Sequence, residues 1–286
     1  MPAKNYTSNK HRQFGLKLEQ KMPKISFISA NYVARALNYR GPADWMAHDA
    51  ATIKAASPEH FAAVAADVAA AGFENIDIWT AHCHWQHHAR GDYIEIVKGI
   101  CSQYDLAITS YAGGLHPASA AELEAPFKFM KQLGAPIFAG GMWGADPAQM
   151  APHIQKICER LNVRYALENH PEKSVEEILG KIGGGQYSRV GVALDTGWCG
   201  TQGMDAVEAA RRLREKLFIV HLKDVKSAGA HDTCALGDGI VPIERVVRYL
   251  VESKWEGTLC IEHEPYDHDP MGEIKKSLER VRKWLK

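Results

Sequence analysis

The sequence lacks net charge, paired cysteines and a long apolar run, and each absence excludes a class of protein. The 34 basic and 34 acidic residues cancel, so the chain has no overall field of the kind that attracts DNA or an anionic membrane. The six cysteines include no Cys-x-x-Cys pair, which is typical of reduced thiols in a cytoplasmic protein. No run of about 18 apolar residues is present, so we expect no transmembrane helix and a small molecule as the partner.

From residue 25 onward the chain alternates between strand-like and helix-like patterns. Short apolar runs rich in β-branched residues predict buried strands, and the helical periodicity after each run predicts helices. The predicted strands cover 25–30, 74–79, 106–110, 136–140, 163–168, 189–195, 217–221 and 257–262. The predicted helices cover 57–71, 91–103, 118–133, 146–160, 174–182, 205–215, 241–253 and 271–285. Eight such units predict an α/β fold, a single (β/α)8 TIM barrel over residues 25–286.

Two segments do not belong to the eight units. Residues 1–24 contain six basic residues and one acidic residue, with no apolar segment of the kind that a secretory signal needs. We expect a flexible basic N-terminal arm there, with Met22 as a second candidate start. Residues 31–57 are too many for an ordinary βα connection and predict an extended lid-like loop after strand 1. Its ring-bearing residues can either contact substrate or anchor the loop to the barrel; they are Tyr32, Tyr39, Trp45 and His48.

Four side chains that can bind metal stand at the ends of predicted strands 5 to 8. They are Glu168, Asp195, His221 and Glu262. Parallel strands of a barrel end on one rim, where barrel active sites are built, so we expect these side chains to converge. Carboxylates a few ångströms apart repel one another strongly in a partly dehydrated cleft, which predicts a cation between them. Three oxygen donors and one imidazole suit Mn²⁺ better than a thiolate-type zinc site.

The same strand ends carry motifs that resemble those of a known family. The motifs are Ala-Leu-Glu-Asn-His-Pro at 166–171, Leu-Asp-Thr-Gly at 194–197, His-Leu-Lys-Asp at 221–224, Gly-Asp-Gly at 237–239 and Ile-Glu-His-Glu at 261–264. They resemble the xylose-isomerase-like barrels and, more narrowly, the sugar phosphate isomerase/epimerase group with ketose 3-epimerases, hydroxypyruvate isomerase and inosose dehydratase. The resemblance covers nearly the whole chain from about residue 25. It implies one divalent ion, most readily Mn²⁺ but also Mg²⁺, Co²⁺ or Zn²⁺, held by Glu168, Asp195, His221 and Glu262.

The resemblance also implies a metal-dependent isomerase or epimerase of a sugar or sugar-derived ketone, and a homo-oligomer. A cation bound to a carbonyl and its neighbouring hydroxyl stabilises the enediolate that forms when the carbon between them loses a proton. Two glutamates flank the substrate in ketose epimerases, and that role carries over to Glu168 and Glu262. Lys223 lies two residues beyond the strand-7 histidine and therefore faces the same way. It can stabilise oxyanion charge or form a structural ion pair.

Residues 82–88 contain four histidines at the end of predicted strand 2. Strand alternation would place His82 and His84 on one face, so both are candidates for substrate binding or acid/base work. A second metal pair and a solvated loop are the alternatives. Four further candidates for substrate binding, each with packing of the rim as its alternative, follow later strands: His116, Trp143, His170 and Trp198.

Two positions depart from the ketose 3-epimerase pattern. Trp198 stands where those enzymes usually have a histidine, and Ser227 stands where they have an arginine. Both weaken a simple assignment as a free-ketose 3-epimerase. A lyase on the same scaffold is the main alternative, either a dehydratase of an inosose-like ketone or a deglycosidase that eliminates the aglycone of a 3-oxo-glycoside. An apurinic endonuclease would need a basic DNA groove, which zero net charge does not favour, and a non-enzymatic binding protein is the remaining alternative.

Overall fold

Eight parallel strands close into a barrel in the computed structural model, which describes residues 21–88 and 92–286. The strands are β1 Lys24–Ile28, β2 Asn75–Trp79, β3 Ala107–Ala112, β4 Ile137–Gly140, β5 Arg164–Glu168, β6 Val190–Asp195, β7 Leu217–Leu222, β8 Asp224–Val225, β9 Thr233–Cys234 and β10 Thr258–Ile261. Strands β1 to β7 neighbour one another in chain order, and β10 closes the barrel between β7 and β1. The short strands β8 and β9 form an antiparallel hairpin outside it.

Helices surround the barrel and follow the order that the sequence predicts. Within the described residues they are α1 Trp45–Ala55, α2 Pro58–Ala70, α3 Tyr93–Gln103, α4 Glu124–Leu133, α5 Pro147–Leu161, α6 Val175–Lys181, α7 Thr196–Gln202, α8 Ala206–Leu213, α9 Ile243–Glu252 and α10 Met271–Trp284. The predicted fold class, a single (β/α)8 TIM barrel, is confirmed. Helices α1 and α7 are additional to the predicted eight.

Local sequence signals set several helix starts. The Ser57 hydroxyl accepts a hydrogen bond from the backbone N–H of His60 at 3.1 Å, and proline occupies the first turn of α2. Asp146 caps α5 in the same way, again directly before a proline. The cap satisfies a backbone N–H that has no partner inside the helix, and proline loses nothing there because its position needs no donor.

The inside of the barrel is filled by small side chains near its upper end. Ala139, Ala166 and Ala193 are fully buried in one apolar cluster with Ile219 and Cys260. Most of the larger apolar side chains of the strands belong instead to a second cluster, together with the apolar side chains of the helices. Because alanines occupy little volume, space remains above them for the polar side chains at the strand ends.

The segment after β1 is folded rather than a plain loop. It contains two 3₁₀ turns at Ser29–Tyr32 and Arg35–Leu37, followed by α1. Tyr32 is buried against Phe27, with ring centroids 5.5 Å apart, and His48 stacks on Tyr266 at 4.9 Å. These contacts favour anchoring for both residues, and the role of the segment as a lid stays a prediction.

Three other predictions concern the N-terminal arm, membrane-spanning helices and the extent of the catalytic domain. The predicted basic arm at residues 1–24 lies mainly outside the described residues, which begin at 21. Across residues 21–88 and 92–286, no helix has both the length and the apolar content needed to span a bilayer. That residues 25–286 form a single catalytic domain remains a prediction.

Candidate metal centre

Three of the four predicted ligands meet at the mouth of the barrel. The donor atoms of Glu168, His221 and Glu262 all lie within 4.8 Å of one another. His221 Nδ1 is 2.6 Å from Glu168 Oε1 and 3.4 Å from Glu262 Oε2. All three side chains are buried or nearly so. The predicted convergence of strand ends thus brings one imidazole between two carboxylates.

Asp195 lies beside this group but serves other partners. It ends β6 and is fully buried, and in the pairing of the strands it lies directly opposite His221 of β7. Its Oδ1 accepts a hydrogen bond from the backbone N–H of Trp198 at 3.0 Å and so caps α7. Its Oδ2 lies 3.3 Å from Lys223 Nζ. Asp195 is therefore not part of the trio whose donors lie within 4.8 Å, although it adjoins that trio through the lysine.

Lys223 is the electrostatic centre of the site. Its ammonium group lies 3.0 Å from Glu262 Oε1 and 2.8 Å from Glu264 Oε2, in addition to the contact with Asp195. The sequence reasoning assigned no role to Glu264. The missed signal is the same two-residue spacing that places Lys223 beside His221, since Glu264 follows Glu262 by two positions and faces the same way.

The protonation states of these groups depend on burial and on their neighbours. Burial raises the pKa of Asp195 to about 6, although the Lys223 charge opposes the rise. Burial and the nearby Glu262 carboxylate raise the pKa of Glu264 well above its usual range. Burial by itself would lower the pKa of Lys223, but Asp195, Glu262 and Glu264 outweigh it and raise that pKa. These acidic neighbours therefore favour the ammonium form of Lys223.

A proton on His221 occupies the position that suits a cation. Burial opposes that proton, but Glu168 and Glu262 outweigh burial and raise the pKa of His221 well above its usual range. A protonated His221 thus adds to the Lys223 ammonium group in balancing the charge of the two buried carboxylates. Neutral imidazole and carboxylate oxygens are ligands that divalent Mn²⁺ or Zn²⁺ accepts. The residues therefore fit a divalent metal ion, which can replace the proton.

A cavity of about 350 Å³ opens directly above these charges. Its floor and walls carry both the ionisable groups and several large rings: Glu168, His170, Trp198, His221, Lys223, Glu262, Glu264, Trp45, Trp79 and Tyr266. Of the four ring-bearing residues in the segment after β1, Trp45 lines this cavity and Tyr32, Tyr39 and His48 do not. The volume suits a small molecule, and carboxylates beside aromatic walls suit a polar ligand with apolar faces.

A second cavity of about 730 Å³ continues from the first. Both are lined by Trp45, Trp79, Trp143, Glu168 and His170, so the two form one elongated cleft. The second part extends over the ends of β2, β3 and β4. Its walls add His84, Trp85 and His116.

The predicted substrate-binding residues fall into two groups. Those that line the cleft are His84, His116, Trp143, His170 and Trp198. The rings of His116 and Trp143 stack at 5.3 Å, and His170 Nε2 lies 3.6 Å from Glu168 Oε2.

His82 is placed differently from these five. It is 1% exposed, lines neither cavity and has Nδ1 3.0 Å from the Ser29 hydroxyl. Residues Thr80–His82 form a 3₁₀ turn, so the strand alternation that would pair His82 with His84 ends at Trp79.

The Gly-Asp-Gly motif has a structural partner in the His-Leu-Lys-Asp motif. The buried carboxylate of Asp224 accepts hydrogen bonds from the backbone N–H groups of Gly237 at 2.8 Å, Gly239 at 3.0 Å and Val241 at 3.0 Å. A β-carbon on Gly239 would lie 2.3 Å from Asp224 Oδ1, so only glycine permits this approach. The two motifs together hold the loop before α9 against the hairpin of β8 and β9.

Comparisons with known proteins agree with this architecture. A family model described as xylose isomerase-like TIM barrel matches residues 65–285. No curated protein sequence matches the chain.

Three solved structures illustrate the structural likeness. A D-allulose 3-epimerase from Methylomonas sp. is 16% identical with a TM-score of 0.69, over 92% of this chain and 98% of that one. The probable 3-DHS dehydratase AsbF from Bacillus anthracis is 15% identical with a TM-score of 0.64, over 91% and 98%. A xylose isomerase domain protein from Planctomyces limnophilus is 19% identical with a TM-score of 0.63, over 77% and 91%. At these identities the likeness shows the fold.

Proposed function

Because the chain belongs to the xylose isomerase-like TIM barrel family, we propose that it is a divalent-metal-dependent isomerase or epimerase of a sugar or sugar-derived ketone. The observation that supports this most strongly is the trio of Glu168, His221 and Glu262, with donor atoms within 4.8 Å at the floor of a cavity. A purely structural ion pair would not need a cavity above it. Similarity in fold to a D-allulose 3-epimerase is consistent with the proposal.

The metal would be held by Glu168, Asp195, His221 and Glu262, with Mn²⁺ as the expected ion. When bound, a divalent cation withdraws electron density from substrate oxygens and makes a neighbouring C–H group more acidic. Asp195 completes the ligand set in this proposal by turning from its contact with Lys223. The site has no thiolate, which favours Mn²⁺ or Mg²⁺ over structural zinc.

Glu168 and Glu262 would move the proton. Their carboxylates both contact His221 Nδ1, and both residues line the cavity. In the proposed cycle one removes a proton from the carbon next to the carbonyl, and the other returns a proton to the second face or the adjacent carbon. Lys223 would stabilise negative charge on a substrate oxygen, since this residue lines the same cavity.

The rings along the cleft would orient the sugar. Aromatic faces pack against the C–H surfaces of sugars, while imidazoles donate and accept hydrogen bonds with hydroxyl groups. Trp143, His170 and Trp198 line the same cavity as Glu168, and we assign them to substrate binding with His84 and His116. We assign no substrate contact to His82, whose side chain lies beneath the rim.

Solvent deuterium exchange tests this function. Protein stripped with a chelator and reloaded with Mn²⁺ should transfer deuterium from D₂O into one carbon-bound position of a ketose or oxo-sugar, and the stripped protein should not. Mass spectrometry of recovered sugars measures the exchange. Failure of the reloaded protein to exchange any member of a broad ketose and oxo-glycoside panel would contradict the proposal.

A lyase is the second candidate, and the length of the cleft favours it. The additional cavity of about 730 Å³ has room for a group beyond a single sugar ring. A deglycosidase would use the same proton removal and then expel the aglycone or, in a dehydratase, water. Stoichiometric release of an aglycone from a 3-oxo-glycoside would establish the lyase, whereas deuterium uptake without such release would establish the isomerase. A homo-oligomer and a cytoplasmic location stay predictions.

A further inference from the structure

A second cluster of metal-binding side chains lies in the loop between β10 and α10. His263 Nε2 lies 2.9 Å from Glu273 Oε2, and His268 Nε2 lies 2.8 Å from the same oxygen. The donor atoms of the three residues all lie within 4.8 Å of one another. None of the three lines either part of the cleft. The cluster is therefore separate from the centre at the mouth.

In this cluster two hydrogen-bond acceptors face each other, and a cation between them would satisfy both. His268 Nδ1 lies 2.6 Å from Asp267 Oδ1, and an ionised carboxylate can only accept, so the Nδ1 atom carries the proton. In neutral His268 the Nε2 atom then has a lone pair, and it faces an acceptor oxygen of Glu273. Two acceptors at that distance need a proton or a metal ion between them.

The second imidazole strengthens the argument. His263 Nδ1 lies 2.8 Å from the Thr233 hydroxyl oxygen, and that oxygen also accepts a hydrogen bond from the backbone N–H of Glu264 at 3.2 Å. With Nδ1 of His263 held in this way, its Nε2 atom is directed at Glu273. Metal-binding histidines characteristically have their other ring nitrogen held by a carboxylate, hydroxyl or carbonyl. Both histidines of the cluster show this arrangement.

Access and chemistry also fit an ion. The side chains of His268 and Glu273 are 48% and 40% exposed, whereas His263 is buried. A cation can thus enter from solvent and bind against a fixed inner ligand. Two imidazoles and one carboxylate, with the outward side open to water, are the ligand set of many tetrahedral zinc sites.

We propose that His263, His268 and Glu273 bind a second divalent cation, with zinc preferred. The bound ion would restrict the movement of one wall of the cleft. Its loop carries Glu264 and Tyr266, which line the cavity, and the ion would tie that loop to the first turn of α10. The backbone of His263 is already held in place, because its N–H group donates a hydrogen bond to Asn31 Oδ1 at 2.7 Å.

Zinc stoichiometry tests the proposal without reference to activity. Purified full-length protein is stripped with a chelator, dialysed against zinc and analysed by atomic emission. His268→Ala should bind about one zinc per chain less than the wild type, since removing a ligand from a three-ligand site abolishes tight binding. His153→Ala, at an exposed histidine on α5, is the matched control and should bind as the wild type does. Equal zinc content in wild type and His268→Ala would overturn the proposal.

Two further measurements separate a built site from casual binding to an exposed histidine. Asp267→Ala removes no ligand but takes away the acceptor of His268 Nδ1, so it should weaken zinc binding about tenfold. Unchanged affinity in this variant would contradict the tautomer argument. A zinc-edge anomalous map should place a peak between the two Nε2 atoms, and a peak only at the mouth would refute the site. Loss of the mouth ion affects all these proteins equally, so the two proposals fail independently.

Discussion

The mouth of this barrel has two unlike halves. The half formed by the ends of β5, β6, β7 and β10 presents carboxylates, two imidazoles and one ammonium group within a few ångströms of one another. The half formed by the ends of β2, β3 and β4 presents stacked rings, such as His84 on Trp85 at 4.2 Å and His116 on Trp143 at 5.3 Å. One cleft connects them.

The difference separates two physical tasks. Charges that are buried together interact strongly because little water screens them, and such a group can hold a cation and move protons. Stacked rings carry little charge and gain their free energy from contact area, which suits recognition of a ligand. We therefore expect substitutions in the charged half to affect mainly kcat, and substitutions in the ring half to affect mainly KM.

The largest effect is expected for Glu262→Gln in the charged half. The amide keeps the shape but removes the negative charge that contacts both Lys223 and His221, so kcat should fall about 10³-fold, or roughly 4 kcal/mol. Steady-state kinetics on the substrate found by deuterium exchange measures it. Glu176→Gln, whose exposed carboxylate pairs with Arg212, is the control and should change little. A fall below tenfold for Glu262→Gln would remove that residue from the chemistry.

A pH experiment tests the buried side chain of His82, which follows β2 in the ring half. Burial lowers the pKa of His82 to about 3, below its value of about 6.5 in the unfolded chain. A lowered histidine pKa stabilises the fold above pH 6.5, and that stability is lost as the pH falls from 6.5 toward 3. Between pH 7.5 and pH 5 the loss due to His82 should be about 2 kcal/mol. Urea unfolding of wild type and His82→Asn at both pH values measures the difference.

The control for that experiment is the exposed His153. His153→Asn should keep the pH dependence of the wild type, whereas His82→Asn should show a flatter one even if it is less stable at pH 7.5. Parallel pH dependence in wild type and His82→Asn would show that the buried ring does not titrate as described.

A smaller effect is expected when Lys223 is displaced without being removed. A β-carbon on Gly197 would lie 2.5 Å from Lys223 Cγ, so Gly197→Ala must shift the lysine or the start of α7. Overpacking of this kind costs about 1–3 kcal/mol, which exceeds the gain of about 0.5–1 kcal/mol from alanine in a helix. We expect kcat to fall about tenfold.

Gly99→Ala is the matched control, because the added carbon on α3 would meet nothing within 4 Å apart from the chain neighbours and the backbone of its own helix. It should raise the free energy of unfolding by about 0.5–1 kcal/mol with unchanged kcat. If Gly197→Ala also leaves kcat unchanged, the position of Lys223 does not limit turnover.

The smallest effect belongs to the ring half. Trp143 is 42% exposed and stacks on His116, so Trp143→Ala removes about 1 kcal/mol of stacking from substrate binding. KM should rise about fivefold while kcat stays within about twofold. Ile96→Ala, at an exposed apolar residue of α3, should change neither constant. A drop in kcat larger than the rise in KM would show that the two halves do not divide their tasks.

The sequence predicted those features that depend on neighbours along the chain. Glu168, Asp195 and His221 could be assigned to strand ends because each closes a short apolar run, and the ends of parallel strands meet on one rim. Glu264 was missed although it repeats the two-residue spacing of His221 and Lys223. Its importance comes from the contact with Lys223, which is made across two strands.

The sequence by itself determined the order of the βα units, and with it the rim on which the catalytic candidates lie. Periodicity and capping act over a few residues, so they can be read without the rest of the fold. Only the tertiary structure decided that Asp195 faces Lys223, that His82 lies beneath the rim, and that His263, His268 and Glu273 meet around one oxygen. Distances between strands and loops depend on how the whole barrel packs, and no local pattern encodes them.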